Sequence, residues 1–504
     1  MEKITAHDSL ICTGNRTFPE IILFLVNNRC SFERHCRVAR YVNGDHSDSA
    51  NVTHEKVRIA PGASKTEAPG GRGKKMKHLT TTAAAGAAAT FILAAPAYAS
   101  GFALRETDAI SLGNAYVGGV SRASDAATVV LNPAGMSLLE SSELFGNVFY
   151  VGPSARFSGQ NYLAPGVRTS GNQGGRNVNS AATASSYGVW KVNKRLALGY
   201  SFGTPFGLRM DYPQNWVGRY QSLVTTITDY ELSLAASYRV TNKLSIGLGP
   251  RFDFLSGRFT QAANLGALNQ YGTTTADLSG NGFGFGYNAG LMYKFDDKTQ
   301  IGITYRSRIS IPVAIKTKFA PPWSLAANPF VQGLLASESG HGKMQVTLPD
   351  SVAFGFTRRV TPRLTVMLQG EWTHWSLLQQ LNAISDHGGL NTTIPVNWHN
   401  TWFGGVAVNY ALRKNVLLRS GFSYDQSPVN SRNRLTRAPD SSRFTLSAGV
   451  EYSPIKMVSL DLSYAHLFTP RGSINNDAGN NAGQLIGQYS GHGNVVGFGM
   501  RTHF

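Results

Sequence analysis

From residue 142 onward the side chains alternate, segment after segment. In "KLSIGLGPRFDF", Leu244, Ile246, Leu248, Phe252 and Phe254 fall on one face. Ser245, Gly247, Gly249, Arg251 and Asp253 fall on the other. In "FGFGYNAGLMYKF", Phe283, Phe285, Tyr287, Leu291, Tyr293 and Phe295 oppose Gly284, Gly286, Asn288, Gly290 and Lys294. The same split recurs at Ile301 to Ile315, Leu364 to Trp372, Phe444 to Tyr452 and Val458 to Tyr464. A period of two is the pattern of a strand with one apolar face. Fourteen such segments start near residues 142, 182, 195, 223, 243, 279, 299, 343, 363, 396, 415, 442, 457 and 489. Their connectors alternate in length. Short turns fall at Asn193-Lys194, Thr241-Asn242, Asp296-Asp297, Thr361-Pro362, Arg413-Lys414 and Pro454-Ile455. Between them lie longer stretches, roughly 159–181, 212–222, 263–278, 320–342, 382–395, 432–441 and 471–488. An even strand count with alternating short and long connections is the layout of an outer-membrane barrel. The expectation is an all-β fold, a 14-stranded antiparallel transmembrane β-barrel over residues 142–504.

Composition agrees. Glycine is abundant at 54 residues, charged residues make up only 15%, and no apolar run reaches the length of a spanning helix except an Ala-rich stretch near residue 90. All three cysteines (Cys12, Cys30, Cys36) lie at the front, so the last 405 residues carry no thiol. That suits an oxidising compartment and excludes Cys-ligated metals there. From Ser100 onward 34 Lys+Arg stand against 21 Asp+Glu. They are scattered rather than gathered on one face, which argues against nucleic acid. Trp372, Trp375, Trp402, Tyr410, Tyr424 and Tyr452 sit near strand ends and are expected in aromatic girdles.

Residues 74–100 read "KKMKHLTTTAAAGAAATFILAAPAYAS". A basic start, a weakly apolar middle and Ala97-Tyr98-Ala99 make a secretory leader. We therefore read 1–75 as an upstream extension outside the mature protein and 76–99 as the signal peptide. Residues 100–141 do not alternate. Ile110, Ala115 and Val117 form a helical pattern stopped by Gly118-Gly119. A second helix starts at Ser124 or Asp125 and ends before Pro133. "AGMSLLESS" offers one more turn. Some forty residues of short helices are enough to plug a barrel lumen, so 100–141 is expected to be a hatch.

Here the chain resembles the FadL family, transporters of long-chain fatty acids and aromatic hydrocarbons in Gram-negative outer membranes. The resemblance rests on an ordered set of stretches: "GFALRE" after the leader, Asn132-Pro133-Ala134 in the hatch, "TPFGLRMDYPQNWVGRY" at 204–220, then "LPDSVAFG", "EWTHWS", "APDSSRFTLSAGVEY" and "LDLSYAHLF". The final strand, ending at Phe504, resembles the signal read by the barrel-insertion machinery. The family implies passive uptake, in which a hydrophobic ligand lands on an extracellular apolar groove. It then passes to a lumen pocket gated by the hatch and leaves sideways at a kinked third strand. Gly203, Pro205, Phe206 and Gly207 are the expected kink, since Pro removes a ladder donor. Leu265, Leu268, Trp323, Leu325, Phe330 and Leu334 are groove candidates, because exposed apolar clusters mark binding. Phe102 and Leu104 are apolar where a free terminus is normally polar, and are expected to line the inner pocket. Arg306, Arg308 and Arg419 fall on the polar face. Each could hold a ligand carboxylate or pair with lumen acids such as Glu371, Asp425, Glu451 or Asp461.

Two rivals make different demands. A general porin needs an open lumen with a charged constriction. An outer-membrane hydrolase needs a nucleophile motif, yet there is no Gly-x-Ser-x-Gly and the histidines are scattered. No enzyme activity, cofactor or metal is expected. The expected partners are a long-chain fatty acid or aromatic hydrocarbon, outer-membrane lipid and lipopolysaccharide, and the insertion machinery, with the protein itself a monomer. The leader reading predicts that intact-mass measurement of membrane-extracted protein gives a chain beginning near Ser100; a chain retaining residues 1–75 overturns it.

Overall fold

The computed structural model describes residues 101–175, 178–386, 391–479 and 481–504. The leader and upstream segment lie outside them. Fourteen antiparallel strands close on themselves. In chain order they are β1 (Glu143–Ala164), β2 (Ala181–Lys191), β3 (Leu196–Asp211), β4 (Val224–Arg239), β5 (Leu244–Ala263), β6 (Thr274–Lys294) and β7 (Thr299–Arg306 with Ile309–Ala320). Then follow β8 (Gly340–Leu348 with Ser351–Arg359), β9 (Leu364–Thr373 with Gln380–Ser385) and β10 (Thr392–Pro395 with Thr401–Arg413). The last are β11 (Val416–Asp425), β12 (Arg443–Ile455), β13 (Val458–Asp477) and β14 (Gln484–His503). β1 pairs with β14 from Glu143↔His503 to Tyr162↔Gln484, which leaves no free edge at the seam. Among the described residues no helix is long and apolar enough to cross a membrane. Strands are the spanning elements, because a closed ladder pairs every backbone group in hydrocarbon.

Several strands outrun their expected ends, β1 reaching Ala164 and β13 Asp477. Their polar outer portions remain laddered to a neighbour, and polarity alone had marked them as loop.

The outward face is the apolar one. Phe283, Phe285 and Leu248 are exposed, while Arg251 and Asp253 beside them are buried in the lumen. Trp402, Tyr410, Tyr424 and Tyr452 are exposed as a girdle requires. Trp375 is not: it is 1% exposed and lies inside.

One expected alternation is corrected. Ile301 to Ile315 is not a single face, because the strand carries an extra residue. Asn288↔Arg306 and Gly282↔Val313 span six residues on β6 and seven on β7. A one-residue slip reverses every side chain beyond it. Ile303 therefore faces out, whereas Ile309, Ile311, Val313 and Ile315 are buried inside. Ser307 pins the bulge: its N–H donates to Tyr287 O at 2.9 Å and its Oγ accepts from Tyr287 N–H at 2.9 Å. The buried Arg251 Nη1 donates to Ser307 O at 3.2 Å. β8 breaks opposite, at Pro349-Asp350, so the register stays matched on both sides (Leu348↔Ile309, Ser351↔Arg306).

The hatch fills the periplasmic half of the lumen. Helix α1 (Ala109–Gly113) is capped by Asp108, whose carboxylate accepts from Ser111 N–H at 2.8 Å. It ends earlier than the sequence pattern suggests, since Ala115 and Tyr116 take positive φ. Helix α2 (Thr128–Leu131) leads into a 3₁₀ turn, Pro133–Leu138. Between them Asn132 is fully buried. Its Oδ1 accepts from Ala134 N–H at 3.2 Å, and its Nδ2 donates to Val120 O at 2.8 Å and to Leu291 O of β6 at 3.2 Å. This contact needs bare backbone on the wall. A Cβ at Gly290 would lie 2.0 Å from Asn132 Oδ1, and one at Gly247 2.3 Å from the Pro133 carbonyl carbon. The Gly-rich lumen face is thus the seat of the Asn132-Pro133-Ala134 turn. Gly290→Val is expected to unseat the hatch, raising ion conductance in planar bilayers and lowering the temperature at which the folded band is lost on gels. Gly146→Val, at an exposed position with nothing within 4 Å, should leave both unchanged.

Candidate functional site

The inverted halves of β7 and β8 turn aliphatic side chains into the upper lumen. Val313, Ile315, Met344 and Val346 meet Leu255 and Leu278 around a cavity of about 560 Å³. Its floor is Phe102, buried in an aromatic cage with Phe206, Trp375 and Trp398 at centroid distances of 5.5, 5.2 and 5.8 Å. Phe102 is held there by the residue before it. Gly101 N–H donates to Asp440 Oδ2 at 3.0 Å. Gly101 takes φ +67°, and any Cβ on it would lie 2.5 Å from the Trp398 ring. A second cavity of about 710 Å³ lies against the first, sharing Phe259, Leu278 and Ile315 with it. Its other walls include Glu338 and Arg437.

Below Phe102 a third cavity, about 1250 Å³, runs from the hatch to the wall at β3. Here the ladder parts. β2 and β3 pair over six rungs above their periplasmic turn, from Lys191↔Ala197 to Ser186↔Phe202. Beyond Phe202, β3 pairs with β4 but no longer with β2. A bulge between Gly203 and Phe206 accompanies the parting, as expected where Pro205 lacks an N–H. The free edge is taken up from inside. Leu104 N–H donates to Pro205 O at 2.8 Å, Gly207 N–H donates to Phe102 O at 2.9 Å, and Ala103 bridges to Phe206. Residues 102–104 therefore serve as a short strand closing the lumen side of the gap. Behind them Arg105 is anchored to Asp425 (Nε–Oδ2 2.9 Å) and Glu371 (Nη1–Oε2 3.1 Å), and lies over the Phe403 ring at 4.0 Å.

The sequence-predicted residues divide. Phe102, Leu104 and Gly203 to Gly207 come together at the gap. Arg306 also lines the third cavity, with its Nη2 on Glu231 Oε2 at 2.6 Å. Arg308 is corrected: the Ser307 bulge puts it on the outer face, where it is exposed. Arg419 lines none of the three cavities. It is tied to Glu451 and to Asp461 (Nη1–Oδ1 2.7 Å), which also hold Arg501. The groove candidates lie on two extracellular loops. One carries helices α3 (Trp323–Ala326) and α4 (Pro329–Glu338), the latter capped by Asn328, whose side chain accepts from Phe330 N–H at 3.0 Å. Leu325, Val331 and Leu335 pack together with Leu268 from the other loop. Trp323 and Phe330 are left 93% and 73% exposed, with Leu334 also exposed and Leu265 half-buried. Sequence reasoning missed the Phe102 cage, since nothing local links Trp375 and Trp398 to residue 102.

A family profile described as "Outer membrane protein transport protein (OMPP1/FadL/TodX)" matches residues 90–504. The chain belongs to that family. It is a β-barrel transporter of hydrophobic compounds in the Gram-negative outer membrane. Curated relatives of this FadL-family barrel include outer membrane protein P1 of Haemophilus influenzae, 28% identical over 417 residues (76% of this chain, 88% of the relative). The long-chain fatty acid transport protein of Escherichia coli K12 is 26% identical over 426 residues (78% and 93%). Among solved structures, a Pseudomonas aeruginosa FadL homologue superposes with a TM-score of 0.74 at 22% identity, covering 80% of this chain and all of that one. The Ralstonia pickettii toluene transporter TbuX gives 0.56 at 16% identity, covering 80% and 99%.

Asp440 gives the N-terminal anchor a pH dependence. Burial pushes its carboxyl up to about 6, against the pull of Arg443 and of the Ser427 and Gly101 donors. A carboxyl that holds its proton more tightly folded than unfolded contributes fully below about pH 4 and loses that contribution as pH rises through about 6. The barrel's thermal midpoint is expected to fall across that window, and Asp440→Asn should flatten this part of the profile; an unaltered profile in the variant overturns the assignment.

Proposed function

We propose that this barrel takes up long-chain fatty acids passively. The ligand lands on the exposed Trp323, Phe330 and Leu334 beside Leu265 and Leu268, descends through the two contiguous cavities, and leaves sideways between β2 and β3. One observation carries the reading. The Phe102–Leu104 segment is both the floor of the apolar cavity and the partner of the open β3 edge. Its displacement opens the cavity and the wall in one movement. The energetics favour a dry route: at about 0.8 kcal/mol per buried CH₂, a long acyl chain gains on the order of 10 kcal/mol in such a cavity, and a water-filled pore offers it nothing. On the same reading the chain is exported by the leader at 76–99 without residues 1–75, inserts through the strand ending at Phe504, and works as a monomer in lipid and lipopolysaccharide. Aromatic hydrocarbons are the second reading, favoured by the uncharged lining of the inner cavity and by the toluene transporters that share the fold.

The test is a lock. The mature chain has no thiol of its own, and Ala103 and Phe206 are bridge partners, a placement suited to a disulfide. Ala103→Cys with Phe206→Cys should abolish uptake of labelled oleate when oxidised and recover it on reduction. Full uptake by the oxidised form overturns the gate. Competition of toluene against oleate for the reduced protein separates the two ligand classes.

A further inference from the structure

Across β13, β14 and β1 the outward face changes character part-way up the wall. Low down, Leu462, Val496, Phe498 and Met500 are exposed and apolar. Above them the same face turns polar and basic. His466 pairs across the ladder with Asn494, and His492 with Phe468 on one side and Ser154 on the other. Asn494 Oδ1 accepts from Tyr464 O–H at 2.7 Å and meets His466 Nδ1 at 2.8 Å. The His466 and His492 rings stack at a centroid distance of 5.9 Å. At the next outward position Arg156 lies opposite Ser490 and is exposed, while its neighbours Ala155 and Phe157 are buried in the lumen. Arg471 is exposed on the far side of Ser490, in the bulge between Thr469 and Gly472. Two arginines therefore flank one serine on strands spaced about 4.8 Å apart. From Tyr150 to Ser158, Leu462 to Ser473 and Gln488 to Met500 these strands carry no Asp or Glu. Another exposed basic cluster, Lys316, Lys318 and Lys343 on β7 and β8, differs: Lys318 stands opposite Asp277, which already holds Arg258 at 2.8 Å. Height fixes what the arginines meet. From Phe504 to His492 the strand climbs about 30 Å, at ~3.3 Å per residue and a tilt of about 40°. The apolar band of such barrels is about 25 Å tall, so the basic row stands just past its outer edge, where lipid headgroups begin.

We propose that Arg156 and Arg471, with His466 and His492 beneath them, bind a phosphate of lipid A, the phosphorylated glycolipid part of lipopolysaccharide, in the outer leaflet. Its acyl chains lie along Leu462, Val496 and Phe498, and its sugar hydroxyls meet the exposed Ser158, Ser473 and Gln488 further up. Arginine suits a phosphate because its planar fork donates two parallel hydrogen bonds to it. Charge selects this lipid over a zwitterionic one. An ammonium group would find no carboxylate on the face, and cations gathered without an acid fit a headgroup whose charge is wholly negative. The surface points away from the lumen, so the proposal rests on the outer-membrane placement of the barrel and not on the uptake reading.

The experiment titrates the full-length mature barrel, stripped of lipid in detergent, with bis-phosphorylated lipid A and reads bound lipid by native mass spectrometry. In Arg156→Gln with Arg471→Gln, affinity should fall on the order of tenfold or more, the loss of charged hydrogen-bonding partners. Dephosphorylated lipid A should bind the wild type no better than intact lipid A binds that variant. Lys316→Gln with Lys343→Gln removes the same charge elsewhere and should leave the affinity within about twofold. An unaltered heat-shift on gels shows that both variants fold, and Arg156→Lys with Arg471→Lys should keep most of the binding. Unchanged lipid A affinity in the arginine variant overturns the site, as does an equal loss in the lysine variant. Equal binding of phosphatidylglycerol or of dephosphorylated lipid A by the wild type also overturns it. Oleate uptake by the arginine variant should match the wild type, so none of these failures touches the uptake reading.

Discussion

A backbone in hydrocarbon must find a partner for every N–H and C=O, and the rest of this structure follows from how that demand is met. The β14–β1 seam meets it with an unbroken ladder, and most other junctions with ladders interrupted by bulges or, at β9, by a longer break. The junction of β2 and β3 does so only up to Phe202. Beyond it the hydrogen bonds that β2 would have supplied come in part from the chain's own N-terminal segment, through Leu104 N–H and Phe102 O. A wall opening can therefore exist in the resting molecule without leaving its inner edge bare. The same three residues carry Phe102 into the floor of the apolar cavity, so one segment touches both the cavity and the parted wall.

Holding such a segment requires a rigid base. The hatch supplies it by direct contact with wall backbone, which is possible only where the wall lacks side chains. Gly290 and Gly247 show the requirement most sharply, since a single added carbon at either would overlap the Asn132-Pro133 turn. Ion pairs do the rest. Arg122 joins Asp108 and Asp125 within the hatch, and Arg105 ties it to Glu371 on β9 and Asp425 on β11. These pairs are largely enclosed, so they are less screened than surface pairs.

The strand count, the alternation of short turns and long loops, and the three short helices of the hatch were legible in the sequence because each is written in a local period or a local stop signal. Phe102 and the Gly203–Gly207 interruption were legible as anomalies, an apolar residue just after the leader-like stretch and a broken alternation. The polar faces of the strands were read well up to the point where a bulge intervenes. Arg306 precedes the Ser307 bulge and faces in as expected; Arg308 follows it and faces out. Nothing in "YRSRISIPVAI" marks which residue is the extra one. That is fixed by Tyr287 on the neighbouring strand and by Arg251 on the strand after it. Trp375 was misplaced for a related reason: its position near a strand end is the same whether it meets lipid or turns inward at the break in β9.

The sequence by itself determined that this chain forms a closed, plugged barrel, because side-chain period, loop spacing and turn residues act over a few residues and do not depend on what lies across the lumen. Tertiary structure alone decided which aliphatic side chains build the cavity and which arginines are neutralised. Those outcomes depend on register between strands and on loops folding back over the lumen. A single inserted residue inverts a face, and an ion pair exists only where two distant strands or loops bring opposite charges within a few ångströms.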